Sequence, residues 1–335
     1  MLEPFFSPYH VAGLDLANRF VMAPMTRKQS PGGIPTETVG EYYRRRAAGG
    51  MGLIITERTL VEHSLAAPDD TIPRVAKDTV DAWRMVLDEI RKTNTSTFIQ
   101  LWHQGPKARP GIGARAVEED GEVVVPAATD KDREDIFKAF VGGAVLSKEI
   151  GFEGVEFHGA HGYLLDSFLR WGQVDFVCEV VKESRRRVGP DYPLCIRFSQ
   201  WAVANFEARQ FESPQDLENV LLALKDAGID IFHASTRRFW LPEFEGSDLN
   251  LAGWTRKITG SPTMTVGNVG LVTEELFGNG PEGFDELKRR FDNEEFDMIA
   301  VGRPLLSDAE WANKVRDGRQ DEIADHFQGA NKIYP

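Results

Sequence analysis

The stretch DREDIFKAFVGGAVLSKEIGFEGVEFHGAHGY, residues 132–163, decides the fold. Asp132–Ile150 carries apolar residues at helical spacing, and Gly154–Phe157 (GVEF) is a short apolar run of the kind a buried strand shows. A long helix feeding a short buried strand is one unit of a parallel sheet. The same unit recurs on both sides. Strand candidates before it are Arg19–Ala23, Leu53–Thr56 and Thr97–Leu101; those after it are Leu194–Phe198, Asp230–Phe232, Thr263–Val266 and Asp297–Val301. Helical stretches lie between them, at Thr36–Ala48, Thr79–Lys92, Gln215–Ala227 and Glu282–Phe291. Eight strands alternating with helices predict a (β/α)₈ barrel, the TIM-barrel architecture.

The competing architecture is an open doubly wound sheet. Its glycine fingerprint, G-x-G-x-x-G after the first strand, is not there: the first strand runs into APMTRKQSPGG. Val11–Asn18 is expected to form a small hairpin closing the barrel floor. With no linker, low-complexity run or composition break, residues 1–335 are read as one domain.

Bulk properties narrow the function. Of 335 residues, 41% are hydrophobic and 27% charged, as in ordinary globular proteins. Lys and Arg total 39 against 52 Asp and Glu, a net charge of −13 that argues against nucleic-acid or anionic-membrane partners. The only cysteines, Cys178 and Cys195, lack metal or redox spacing. The opening MLEPFFSPYHVAGLDLANRF shows no secretory signal, and no apolar run approaches the roughly 18 residues of a membrane span. A cytoplasmic location is the expectation.

Chemistry in such a barrel belongs at the C-terminal ends of the strands, where the loops converge on one rim. Those ends read Pro24, Met25 and Thr26; Glu57 and Arg58; Gln100 and Trp102; His158, His161 and Tyr163; Arg197; His233; Gly267 and Asn268; Gly302 and Arg303. VGN (266–268) and VGR (301–303) close the seventh and eighth strands, where barrels commonly bind phosphate through backbone N–H groups and an arginine. The plainer alternative is two tight turns, and the phosphate reading is preferred. In HGAHGY (158–163) two histidines could grip a substrate oxygen, with Tyr163 delivering a proton. A two-histidine metal site lacks an acidic third ligand at the usual spacing, and ordinary buried histidines are the third reading. On the residues alone these stay open.

Together the segments RFVMAPMTR, GLIITE, QLWH, GFEGVEFHGAHGYLLDSF, IRFS, TVGNVG and AVGRPLL resemble, in order, the old yellow enzyme family of flavin-dependent ene-reductases, from about Phe5 to Arg319. The resemblance implies FMN as cofactor and NAD(P)H as reductant; a single phosphate site without a dinucleotide fingerprint points away from FAD. It implies that Pro24, Met25, Thr26, Arg58 and Gln100 line the flavin ring. Arg197 would balance the charge of the reduced flavin, and Gly267, Asn268, Gly302 and Arg303 would hold the phosphate. His158 and His161 would bind the carbonyl of an α,β-unsaturated small-molecule substrate, Tyr163 would supply the proton, and Trp102 would line the substrate pocket. No metal is implied.

The chain departs from the family pattern in three places. Arg58 stands where the family carries glycine or alanine. The span from Phe168 to Val188 is short, lacking a long loop, and Pro106–Thr129 is abbreviated. Arg58 and the missing loop motivate one alternative, a redox-neutral isomerase or cyclase on the same flavin scaffold; a catalytically silent barrel that binds a ligand or partner is another. Arg237 and Arg238 read as solvated surface charge, with contact to a nicotinamide phosphate as the alternative. Oligomeric state, substrate and nicotinamide preference are not written in the sequence.

Overall fold

A computed structural model describes residues 2–271, 282–324, 326, 329 and 330; residues 1, 272–281, 325, 327–328 and 331–335 of the expected domain lie outside the described residues. The described residues form twelve strands. Two make a hairpin, β1 (Tyr9–Val11) and β2 (Leu14–Leu16). Then come β3 (Phe20–Met22), β4 (Leu53–Leu60), β5 (Ser96–Trp102), β6 (Val117–Glu119) and β7 (Glu122–Val125). The remainder are β8 (Gly154–His161), β9 (Leu194–Ala202), β10 (Ile231–Ser235), β11 (Thr263–Val266) and β12 (Met298–Val301). Eight of them close into a barrel in the order β3, β4, β5, β8, β9, β10, β11, β12, all neighbours parallel. This is the (β/α)₈ fold that the alternation predicts.

Strand periodicity sorts the side chains. Val155 and Phe157 face outward into the large core beneath the helices, as do Ile196 and Phe198 on β9. Inside the barrel, Val21, Leu53, Ile55, Phe98, Ile231, Met264 and Met298 form a separate apolar cluster. The hairpin plugs it with Val11 and Leu16, so the floor is filled with apolar side chains. That hairpin begins two residues earlier than expected. Its loop, Ala12 and Gly13, has φ of 48° and 82°, the left-handed pair that matches strand twist in a two-residue turn.

The long helix Asp130–Ile150 starts with a reciprocal cap: Asp132 N donates to Thr129 Oγ1 at 3.2 Å, and Thr129 N to Asp132 Oδ2 at 2.9 Å. It ends on Gly151 at φ 113°. The shortened span after Phe168 is built as two helices, Leu164–Arg170 and Val174–Val188, with three residues between them. The abbreviated 106–129 region holds β6 and β7, an antiparallel hairpin turning at Asp120 and Gly121, which the sequence reading missed. Among the described residues no helix is long and apolar enough to cross a membrane.

Gly154 opens β8 directly opposite Phe98 on β5. A Cβ there would lie 2.4 Å from the Phe98 ring, which is wholly buried and cannot yield cheaply. Gly154→Ala is therefore expected to destabilise by about 1–3 kcal/mol, the usual cost of overpacking. Denaturant unfolding checks this; an unchanged midpoint would mean that the floor is looser than its packing implies.

Candidate active site

A cavity of about 400 Å³ opens at the C-terminal ends of the barrel strands. Pro24, Met25, Thr26, Arg58, Gln100, His158, His161, Tyr163, Arg197, Gly267, Asn268, Gly302 and Arg303 all line it. Trp102 is the exception. It is fully buried, packed with Leu60, Ala66 and Ile72, and covered by Arg58, whose guanidinium lies 4.2 Å from its ring, and by Tyr163. It backs the wall rather than lining it, which corrects the expected role.

Two register shifts build this wall. On β4, Ile55 pairs with Phe98 and Arg58 with Gln100, so three residues on β4 match two on β5. In regular pairing Glu57 would oppose Gln100 and point inward; the bulge sends Arg58 there instead. Glu57 becomes a buried anchor, its Oε2 accepting from the backbone N–H of Arg27 at 2.6 Å and of Lys28 at 3.3 Å. Burial pushes its carboxyl up to about 7. Glu57 thereby fixes the loop that carries Pro24, Met25 and Thr26.

On β8, Gly159 pairs with Phe198 and His161 with Ala202, four residues on β9 against two. His161 itself is left-handed, with φ 66°. Residues three apart on a regular strand face opposite sides. The shift and the left-handed turn overcome this and bring the His158 and His161 rings to 5.1 Å, edge to face. Tyr163 joins them, its ring 5.0 Å from His158. Trp201 stacks on His161 at 4.2 Å and holds the ring's plane.

Both histidines are neutral. Burial, then Arg197, depresses each well below the ordinary imidazole value, and Arg58 adds to the effect at His158. Ser235 Oγ lies 2.8 Å from His161 Nε2 and accepts from Arg197 Nη2 at 3.1 Å. While accepting from Arg197, Ser235 keeps its own proton free to donate to Nε2, and in that arrangement the His161 proton sits on Nδ1. Arg58 Nη1 donates to Tyr163 Oη at 3.1 Å, so the phenol's own proton stays available to a second acceptor. The pair has no third ligand for a metal: no described group of three His, Cys, Asp or Glu could hold one.

Beneath the cavity runs a buried network. Glu156 accepts from Gln100 Nε2 at 2.8 Å and from His233 Nδ1 at 2.6 Å. Burial would raise the Glu156 carboxyl, but His233, Arg197 and Gln100 outweigh it and keep it ionised. Burial and Arg197 lower His233, so the imidazole is a neutral donor and Arg197 supplies the balancing charge. Arg197 is buried, and among the described residues its Nε has no partner and it makes no ion pair. A fixed buried cation of this kind suits an electron-rich ligand edge.

The far end of the cavity suits an anion. Arg303 and Asn268 are in direct hydrogen-bond contact. Burial and the neighbouring Arg237 lower the Arg303 guanidinium, a penalty that a bound anion reverses. Arg237 is half-buried and lines the cavity, correcting its reading as surface charge; Arg238 is exposed as expected. The two glycines differ. A Cβ on Gly267 would come within 2.5 Å of Thr236 Oγ1, so packing requires glycine there. A Cβ on Gly302 meets nothing nearer than 3.7 Å, so its absence leaves room in the cavity rather than relieving the protein. A flavin mononucleotide has an anionic end for Arg303 and a hydrogen-bonding ring edge for Arg197 and Gln100. The residues fit the group.

The sequence model of the NADH:flavin oxidoreductase / NADH oxidase family matches residues 4–322. The chain belongs to this family. The chain shares its fold with an old yellow enzyme homologue from Zymomonas mobilis, whose structure superimposes with a TM-score of 0.80 at 20% identity, covering 99% of both chains. Curated relatives include an NADH oxidase of Thermoanaerobacter brockii, 28% identical over 95% of this chain and 51% of its own length. An NADPH dehydrogenase of Halalkalibacterium halodurans is 29% identical over 94% of both chains. The chain thus spans about half the length of the first and nearly all of the second. The family is described by FMN as its flavin and NADH as its reductant.

The sequence reading missed Ser235, Trp201, Glu156 and the position of Arg237. Glu156 carried a signal, an acid alternating with Val155 and Phe157 inside a buried strand. Trp201 was out of reach because β9 runs four residues beyond the expected end at Phe198.

Replacing Arg303 with Ala removes a charge-assisted hydrogen bond of about 1.5–3 kcal/mol, hence roughly ten- to hundred-fold in FMN affinity. Titration of flavin into the stripped protein reads it. Unchanged affinity would place the phosphate elsewhere.

Proposed function

We propose that this protein is an NAD(P)H-dependent FMN oxidoreductase that reduces the activated C=C bond of α,β-unsaturated carbonyl compounds. The observation that carries the reading is that His158, His161 and Tyr163 share one cavity with Arg197 and Arg303. One wall grips an oxygen and carries a phenol proton; the rest offers what a flavin needs. Bound FMN supplies hydride transfer to the β-carbon of the alkene. His158 and His161 donate hydrogen bonds to the carbonyl oxygen and stabilise the negative charge that grows there. Because both are neutral, they do so without exchanging a proton with the oxygen. Tyr163 Oη, fixed by Arg58, delivers its proton toward the α-carbon. The named relatives, an NADH oxidase and an NADPH dehydrogenase, support a nicotinamide reductant.

Steady-state turnover tests the reading. Cyclohexenone with NADPH or NADH should give cyclohexanone, one nicotinamide oxidised per alkene reduced; nicotinamide oxidation with the alkene left intact under anaerobic conditions would sink it.

The depressed histidines set a pH signature. A phenol imitates the oxygen charge and binds as its anion, so its affinity should rise about tenfold per pH unit while it is mostly un-ionised, below a pKa near 10. Histidines of ordinary pKa would become cationic below about pH 6.5, favour phenolate, and flatten that slope. Held neutral, His158 and His161 leave the slope straight from pH 9 to 5.5. Calorimetric titration that shows a break near 6.5 would contradict the assigned protonation state.

A further inference from the structure

We infer that Asp166 and Arg170 are the positioning pair of this site: a carboxylate and a guanidinium that hold the His161 imidazole at the angle from which it meets a substrate oxygen. The inference rests on the role given to His161 above and adds the residues through which that role is set.

The need is local. His161 and Gly162 are consecutive left-handed residues, with φ of 66° and 82°. Glycine adopts that backbone freely, whereas a histidine does so only when its surroundings hold it there. Asp166 supplies the hold. It is wholly buried on the first helix after β8, Leu164–Arg170, and its Oδ2 accepts from Gly162 N at 2.5 Å, which pins the peptide that leaves His161. The same oxygen accepts from Arg170 Nε at 2.5 Å. The plane of the imidazole is set by the stacked Trp201, and Arg170 in turn anchors Trp201. Its Nη2 donates to the carbonyls of Ser199, Gln200 and Trp201 at 3.2, 2.8 and 2.9 Å. Ser199 closes the circuit, accepting through Oγ from His161 N at 2.9 Å and donating to Trp201 O at 2.8 Å. Gln210, with its amide nitrogen turned inward, donates to Asp166 Oδ1 and to Ser199 O, each at 2.9 Å.

Packing alone does not ask for this pair. A buried ion pair often adds no stability over apolar side chains of similar size, but its hydrogen bonds fix directions that apolar contacts leave free. The directions fixed here lead to the backbone on either side of His161 and to the strand end that carries Trp201. Neither Asp166 nor Arg170 lines the cavity, so both act through those two rings. Arg170 also lies in the span after Phe168 where the chain departs from the family pattern, so the pair belongs to what this chain builds in that place.

Double-mutant cycles with His161→Ala test this on the FMN-loaded protein, with phenol affinity by calorimetry and kcat/KM for cyclohexenone as readouts. Arg170→Met and Asp166→Asn should each lower both about ten- to hundred-fold, the usual cost of a misplaced group, with FMN affinity and the rate of flavin reduction by NAD(P)H unchanged. In a His161→Ala background the same substitutions should cost less than about twofold, because the group they position is gone. Thermal unfolding checks that the variants fold; should Asp166→Asn unfold, Arg170→Met, whose side chain is 16% exposed, carries the test alone. Losses that persist in full without His161 overturn the inference, since a general packing role gives that result. Unchanged phenol affinity in both single variants overturns it too, as does failure of both to fold. A His161-dependent loss of phenol affinity in a protein that reduces no enone would retire the reductase reading and leave the positioning role standing. Enone turnover that is undiminished in both variants would do the reverse.

Discussion

His158→Ala or His161→Ala lowers kcat/KM for enone reduction by about 10²–10³, the usual cost of losing one preorganised donor to a developing oxyanion. The expectation follows from geometry. The two rings stand 5.1 Å apart, edge to face, with the His161 plane held by Trp201 and its Nε2 met by Ser235. Each donor is fixed before substrate arrives, so neither replaces the other when one is lost. Phenol binding should weaken in both variants while FMN stays bound, because Arg197 and Arg303 are untouched. Stopped-flow and calorimetric measurements read the two effects separately. Loss of flavin or of folding in both variants would make the histidines structural and remove the carbonyl-binding role.

Tyr163→Phe slows alkene reduction by about 10²–10⁴, the range that a positioned general acid supplies. It should leave reduction of the flavin by NAD(P)H near its original rate, since that half of the cycle needs no phenol proton. Removing the hydroxyl also strips Arg58 Nη1 of its only hydrogen-bond acceptor among the described residues. A variant equally slow in both halves would show that Tyr163 shapes the cavity rather than moving a proton.

Much of this was legible in the sequence because barrel strands buried on both faces are short apolar runs between long helical periods. The eight strands fell where those runs lie, though β4 and β9 continue four residues beyond the readable ends at Thr56 and Phe198. Their extensions are where legibility fails. A one-residue bulge has no composition of its own, yet it decides that Arg58 and not Glu57 enters the cavity. The left-handed backbone at His161 is equally silent, and spacing alone would have put the two histidines on opposite faces. Trp102 shows the converse. Its place at a strand end was readable, but whether it met solvent depended on Arg58 folding over it. Arg237 was read as surface charge because nothing local distinguishes a solvated arginine from one turned inward across a barrel mouth.

Two of the three departures from the family pattern also take a definite form. Arg58 does not block the cavity; it lies against Trp102 and holds Tyr163. The shortened span after Phe168 is two packed helices rather than a gap. Neither removes a residue that oxygen binding, proton delivery or flavin binding requires, which is why reduction is favoured over redox-neutral isomerisation.

That choice rests on one measurement. Purified protein loaded with FMN is mixed with NADH or NADPH in the absence of oxygen, and its visible flavin absorbance is followed before and after an enone is added. The account predicts that the absorbance bleaches with at least one nicotinamide and returns on addition of the enone, with one saturated product formed per flavin reoxidised. Absorbance that persists with both nicotinamides, while the protein still converts an unsaturated compound to an isomer, would contradict it.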